Sequence, residues 1–357
     1  MLKLYLRRIH LALALASGLF LILLSLSGAV LIYAIDIQHF IQADKWLVTP
    51  DSQPLDYAEL ITKLEQQSGK KVRILIPEQD PKLAWQSQLA NERYVSVNPY
   101  TGKILHQYDY YRTLYGFTMA LHRWLLWQND SGDKPLKNVL STASLLLMFN
   151  LLIGVCLWLK PKNRLKRLVI KPKAKLSVLL YQLHSVLGVF IFMPLLLIAF
   201  SGVAFNWQSP TQAVVELFTA NKVTASPKAP TVMAKCSAQL NYSLAIHNSL
   251  QQFPHGELYR IYLPKQADAA LALRIKNPGE QHAFSWVWSN PYTGEVLLKY
   301  DASQANVSTQ VWNFRFNFHI GNFAGPIVQL LWLLLSISIS FFVCSGLYFW
   351  LRRHKRK

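Results

Sequence analysis

Four long apolar stretches, at about 9 to 35, 138 to 159, 178 to 207 and 326 to 351, dominate the pattern of the chain. None carries Asp, Glu, Lys or Arg in its central part. A hydrocarbon core needs roughly 20 apolar helical residues, so each stretch predicts a membrane-crossing helix. Between them the periods shorten. "LDYAELITKLEQQ" (55 to 67) spaces its apolar residues as a helix does, and "KVRILIP", "KLAWQSQLA", "RYVSV" and "KILHQY" follow as strands. After the third stretch the order recurs: "AQLNYSLAIHNSLQQF" precedes "ELYRIYLP", "ALALRIK", "AFSWVWS" and "EVLLKY". A helix followed by a small antiparallel sheet is an α+β unit, and the chain holds it twice.

The recurrence extends to single residues. "VSVNPYTGKIL" (95 to 105) answers "WSNPYTGEVLL" (288 to 298), and "IGVCLWLK" (153 to 160) answers "SGLYFWLR" (345 to 352). Asn98 and Asn290 are offset by 192 residues, as are Gly154 and Gly346. His10 to Gly28 and His184 to Gly202 both span 18 residues and end in Ser-Gly. Matches in the same order mark an internal repeat. The predicted fold is an α-helical membrane protein whose four transmembrane helices arise by internal duplication, with two external α+β domains. Its segments are helix one (1–35), the first external domain (36–110), an interfacial segment with helix two (111–160) and a basic loop (161–177). Helix three (178–207), the second external domain (208–305), and an interfacial segment with helix four and a basic tail (306–357) complete it.

Charge orients this arrangement. The 357 residues are 52% hydrophobic yet carry net charge +19. Residues 1–10, 160–177 and 351–357 hold three, eight and five Lys or Arg and no Asp or Glu. The positive-inside rule places both termini and the 160–177 loop in the cytoplasm and residues 36–137 and 208–325 outside. Charge sorted in this way argues against nucleic-acid binding. A signal peptide is the competing reading of the first stretch, but the stretch is about 25 residues long and no A-x-A site follows, so a retained helix is expected. The three cysteines are too few for a disulfide framework. Cys156 and Cys344 fall in apolar stretches as small apolar residues, and Cys236 falls outside. Without CxxCH, covalent c-type haem attachment is excluded.

Four of ten histidines occupy equivalent places in the two copies: His10 with His184, at the cytoplasmic starts of helices one and three, and His122 with His319, outside and just before helices two and four. Two histidines near each face suit bis-histidine ligation of b-type haem, which needs imidazoles from facing helices at one depth. Eighteen residues are five helical turns, so His10 and Gly28 share a face about 27 Å apart. Small residues there (Ala14, Ser17, Ser27; Gly188 and Ser201 in the other copy) admit either close helix packing or a flat macrocycle. Zinc competes as the ligand, yet it wants three or four clustered ligands. Arg8, Arg123 and Arg315 lie within four residues of these histidines as candidate propionate partners, and equally suit lipid phosphates or the inside-positive signal. His39, His106, His247, His255, His282 and His354 have no matched partner and read as surface residues. Aromatic residues such as Trp124, Trp127, Trp312, Phe314, Phe316 and Phe318 suit a membrane-interface belt or an electron exit.

"RRIH", "YQLH", the paired Ser-Gly and NPYTG motifs, "LHRWL", and "GVCLWL" with "GLYFWL" together resemble the PepSY-associated transmembrane family of bacterial inner-membrane proteins, which includes siderophore-iron reductases. The resemblance covers nearly the whole chain. The second copy departs from the first in "NFHIGNF" against "ALHRWLL", with 27 residues rather than 32 from histidine to helix glycine. The resemblance implies periplasmic PepSY-like domains, two haem b groups with axial ligands His10, His184, His122 and His319, and an inner-membrane location. The expected function is oxidoreductase action: electrons cross the membrane and reduce a ferric siderophore in the periplasm. No catalytic acid or nucleophile is singled out. The cytoplasmic segments are too short for a flavin or nicotinamide domain and no GxGxxG is present, so a quinol or a separate reductase is the expected donor. The alternatives are a PepSY-domain anchor that binds or inhibits a periplasmic protease, and a haem electron conduit to a protein partner.

Overall fold

The computed structural model describes residues 1–51, 53–159, 165–233 and 239–355. Cys236 and parts of the basic loop and tail (160–164, 356–357) lie outside the described residues. The first half runs α1 (Leu2–Ile41), α2 (Ala43–Trp46), α3 (Tyr57–Ser68), β1 (Val72–Ile76), β2 (Trp85–Leu89), β3 (Tyr94–Val97), β4 (Ile104–Tyr108), α4 (Leu114–Trp124) and α5 (Leu136–Leu159). The second half runs α6 (Leu176–Phe190), α7 (Phe192–Ala204), α8 (Gln208–Thr219), α9 (Tyr242–Leu250), β5 (Glu257–Tyr262), β6 (Leu271–Lys276), β7 (Ser285–Ser289), β8 (Val296–Tyr300), α10 (Val307–Ile320) and α11 (Pro326–His354). Two compact units result. A helical unit comprises residues 1–34, 117–214 and 315–357, and a sheet unit comprises 35–116 and 215–314.

In the helical unit, α1, α5 and α11 are each long and apolar enough to cross a membrane. The third expected span is not one helix. It is α6 and α7, bent by 68° at Ile191. Pro194 explains the break: its ring lacks an N–H and collides with the carbonyl four residues back, at Phe190, where α6 stops. The first copy has Phe20 at the equivalent distance from its histidine, and α1 runs unbroken. Small residues join the spans. Ser25 Oγ donates to Ser336 O (2.6 Å) and Ser336 Oγ returns the bond to Ser25 O (2.7 Å), locking α1 to α11. Asn206 and Trp207, beyond α7, donate to Asn138 Oδ1 on α5 (2.9 and 3.1 Å).

The sheet unit corrects the expectation of two domains. All eight strands form one antiparallel sheet in the order β4-β3-β2-β1-β5-β6-β7-β8. The seam pairs Ile74 with Tyr262 and Leu75 with Ile261, and it consumes what would be an open edge in each four-stranded half. A half alone would bury too little apolar surface. Together they enclose one core in which Leu60 and Leu64 of α3 and Ile246 of α9 are buried with Leu75, Val95, Ile261, Leu273 and Val287 of the sheet. Asp56 caps α3 by accepting from Ala58 N, and Asn241 caps α9 from Leu244 N.

The two NPYTG segments are matching corners. Asn98 Oδ1 accepts from Tyr100 N and Thr101 N, as Asn290 Oδ1 does from Tyr292 N and Thr293 N. Gly102 (φ 75°) and Gly294 (φ 74°) close them in the left-handed region. The tyrosines are ties rather than ornaments: Tyr100 Oη donates to Pro81 O (2.8 Å) and Tyr292 Oη to Ala267 O (3.0 Å).

Candidate functional site

The helical unit gathers all four matched histidines, two by two. His10 on α1 and His184 on α6 have ring centres 6.4 Å apart, and His122 on α4 and His319 on α10 have theirs 6.2 Å apart. Each pair takes one ring from each copy of the repeat. His122 lies against Gly28, 18 residues along α1 from His10, so the pairs stand about 27 Å apart along that helix.

The surroundings fix one tautomer at every ring. His10 Nδ1 meets the Asn150 carbonyl at 3.1 Å, and a carbonyl only accepts, so Nδ1 carries the proton. His319 Nδ1 likewise meets Ile198 O at 3.2 Å. The serines lead to the same result by exclusion. Ser27 Oγ gives its single proton to Leu23 O and so accepts from His122 Nδ1 (3.0 Å). Ser201 donates to Ile198 O and accepts from His319 (3.0 Å). Ser345 donates to Phe342 O and accepts from His184 (2.7 Å). At all four imidazoles Nδ1 is therefore the donating nitrogen, which leaves Nε2 to carry the lone pair of the neutral ring. This is the arrangement that metal-ligating histidines use: one nitrogen oriented by a donor bond, the other free.

Glycine makes room for three of the rings. A Cβ at Gly28 would stand 3.2 Å from His122 Cε1, one at Gly154 3.4 Å from His10 Cε1, and one at Gly202 3.3 Å from His319 Cε1. The Ser-Gly and Gly-Val motifs are thus cradles for histidines on other helices. His184 instead packs against Phe342 (5.0 Å, edge to face) beside Ser345.

Two metal–nitrogen bonds of roughly 2 Å, plus roughly 1.1 Å from each nitrogen to its ring centre, put two imidazoles sharing an in-line metal about 6.2 Å apart. The observed 6.4 and 6.2 Å fit a bis-histidine haem in both places. Among the described residues no three His, Cys, Asp or Glu side chains cluster as a metal site, which leaves the zinc reading without a ligand set.

The three arginines differ. Arg8 and Arg123 are exposed, and Arg123 stands 6.0 Å from the Trp124 ring centre. Arg315 is partly buried 5.6 Å over Phe205, whose ring touches His319. Of the unmatched histidines, His247, His255 and His354 are exposed as expected. His39, His106 and His282 are not: His39 stacks on Trp46, His106 stacks on Tyr108, and His282 sits among Tyr259 and Phe284. Trp124 is buried with Lys134 3.9 Å above its ring, Phe318 packs on Phe323 and Trp332, and Trp127 is exposed. Sequence reasoning missed Asn150 and Ser345. The Ser345-Gly346 pair in "SGLYFWL" carried a signal, whereas a backbone carbonyl such as that of Asn150 leaves none.

Apolar spans, a duplicated sheet unit and histidines paired across the duplication define a helical membrane protein with an α+β domain. The chain belongs to the PepSY-associated TM region family, whose profile matches residues 7–353. Comparison with curated proteins finds no match.

Proposed function

We propose that this membrane protein holds two b-type haems, one at His10 and His184 and one at His122 and His319, and conducts electrons across the bacterial inner membrane to reduce ferric siderophores in the periplasm. The observation that carries the reading is the pair of ring spacings, 6.4 and 6.2 Å, with every Nδ1 already committed. When bound, haem supplies reversible one-electron Fe(III)/Fe(II) chemistry. The chain's own part is orientation: Asn150 O, Ser27, Ser345, Ser201 and Ile198 O keep each lone pair on Nε2. Arg315, Arg8 and Arg123 are the candidate propionate partners. A quinol, or a separate reductase, is the donor; one quinol releases two electrons and two protons and so serves two ferric chelates. Each Fe(III) gains one electron, and Fe(II) holds hard hydroxamate or catecholate oxygens less tightly and is released.

The test is an optical spectrum of the purified full-length protein, with haem counted per chain. Two b-type haems are expected, falling to one in His10→Ala or His184→Ala. Adding a ferric hydroxamate to the dithionite-reduced protein should reoxidise it and yield Fe(II) that a ferrous chelator traps. Protein made with ample haem that contains none refutes the cofactor, and haem that the chelate fails to oxidise refutes the substrate.

A further inference from the structure

Where α1 leaves its apolar stretch, the sheet unit contains a cavity of about 320 Å³, the size of a small ligand pocket. Trp46 and Tyr108 form part of its lining, with ring centres 5.0 Å apart, and His106 stacks on Tyr108. Three cations, Lys45, Arg93 and Arg112, face it, against one acid, Asp109, which stands 4.0 Å from Arg112. Among the described residues neither Lys45 nor Arg93 has an ion-pair partner. Burial and the Lys45 charge hold His106 below its ordinary range, against the opposing pull of Asp44. The cavity therefore carries an excess of positive charge over an aromatic lining.

The second copy shows that the fold does not require these cations. With the 192-residue offset, Arg93 corresponds to Ser285, His106 to Leu298 and Arg112 to Gln304. Aligning "HFIQADK" (39–45) with "ELFTANK" (216–222) matches Lys45 to Lys222, which is tied to Glu216 at 2.7 Å. The structural residue is kept in both copies: Asp109 and Asp301 each cap a short 3-10 turn. Arg93, Arg112 and an unpaired Lys45 are particular to the first copy.

The neighbourhood indicates what fills the cavity. Ile41, which lines it, is 66% exposed, and the adjoining Phe40 is 87% exposed; Leu114 and Tyr111 add further exposed apolar surface nearby. Exposed apolar residues at the end of a membrane-crossing helix, beside a cationic pocket, suit an amphipathic anion. We infer that this pocket binds the phosphate of an anionic phospholipid at the membrane surface where α1 emerges, with the acyl chains against the exposed apolar residues of α1. The inference does not depend on haem.

The experiment compares the full-length protein with the triple variant Lys45→Gln, Arg93→Gln, Arg112→Gln in nanodiscs of phosphatidylcholine doped with phosphatidylglycerol, counting retained lipids by native mass spectrometry. The wild type should retain one phosphatidylglycerol, and the variant at least about tenfold less, with phosphatidylcholine retention equal in both. Lys222→Gln, the matched residue of the second copy, should leave retention unchanged. Equal phosphatidylglycerol retention in wild type and triple variant overturns the site. So does a loss in Lys222→Gln as large as in the triple variant, which would mean diffuse charge attraction. A third arm adds inorganic phosphate alone: displacement of the lipid by millimolar phosphate would mark a soluble-anion site and overturn the lipid assignment. A thermal melt matching the wild type shows that the triple variant is folded.

Discussion

Ser345→Ala tests the tautomer reasoning at a residue that is not itself one of the proposed ligands. Ser345 is 3% exposed, and its hydroxyl is the acceptor that holds the His184 proton on Nδ1 at 2.7 Å. Without it a buried N–H loses its partner, a cost of about 1–3 kcal/mol. The ring can escape that cost by moving the proton to Nε2, which removes the lone pair needed by a metal. Loss of an orienting partner typically lowers metal affinity about 10–100-fold, or about 1.4–2.8 kcal/mol, which agrees with the hydrogen-bond figure. The assay is haem transfer from the purified protein to excess apomyoglobin, followed optically. Of the two proposed haems, one should leave about 10–100-fold more readily, while the His122 and His319 site, with its own serines, keeps the wild-type rate. Ser345→Thr, which restores a hydroxyl, should recover most of the loss. Equal retention of both haems in Ser345→Ala, or loss of both together, would refute the reasoning.

Other outcomes follow from single contacts. Gly202→Leu drives a side chain into His319 and should remove the proposed haem of that pair alone, read as one haem per chain and a lowered melting temperature. Leu75→Ala, at the fully buried seam of the sheet, should cost about 2–5 kcal/mol, measured as a lower denaturant midpoint by tryptophan fluorescence. Burial pushes Glu78 from 4.5 up to about 7, against the opposing pull of Gln86 and Arg260. Below pH 4.5 the carboxyl is neutral in both states and costs nothing. As pH rises towards 7 the unfolded chain ionises first, so stability falls by up to about 3 kcal/mol and then levels off. Glu78→Gln should flatten that decline in thermal melts between pH 5 and 8.

Much of this molecule was legible in the order of its residues. The helix and strand pattern of both repeats, and the four histidines, lay in period and register, because apolar spacing records which face is buried. The bend at Ile191 was not read: Pro194 is its signal, but a stretch that is apolar throughout hides a break that hydropathy does not weigh. The union of the two sheets was not legible, because β1 and β5 resemble any strand until Leu75 and Ile261 are seen to be buried against each other. Ring pairing was harder still. Equivalent positions in two copies say that His10 and His184 match, whereas their 6.4 Å contact depends on how helices from different copies pack.

That packing has an evolutionary consequence. Each copy supplies one imidazole to both pairs and one of the two seam strands of the sheet, so neither copy completes anything by itself. A single-copy ancestor would have reached the same contacts only by associating with itself around a two-fold axis. The present chain has the form of such a homodimer joined into one polypeptide. Within one chain the halves differ: Pro194 breaks the span of the second copy where the first has Phe20, and Arg93 and Arg112 stand where the second copy has Ser285 and Gln304.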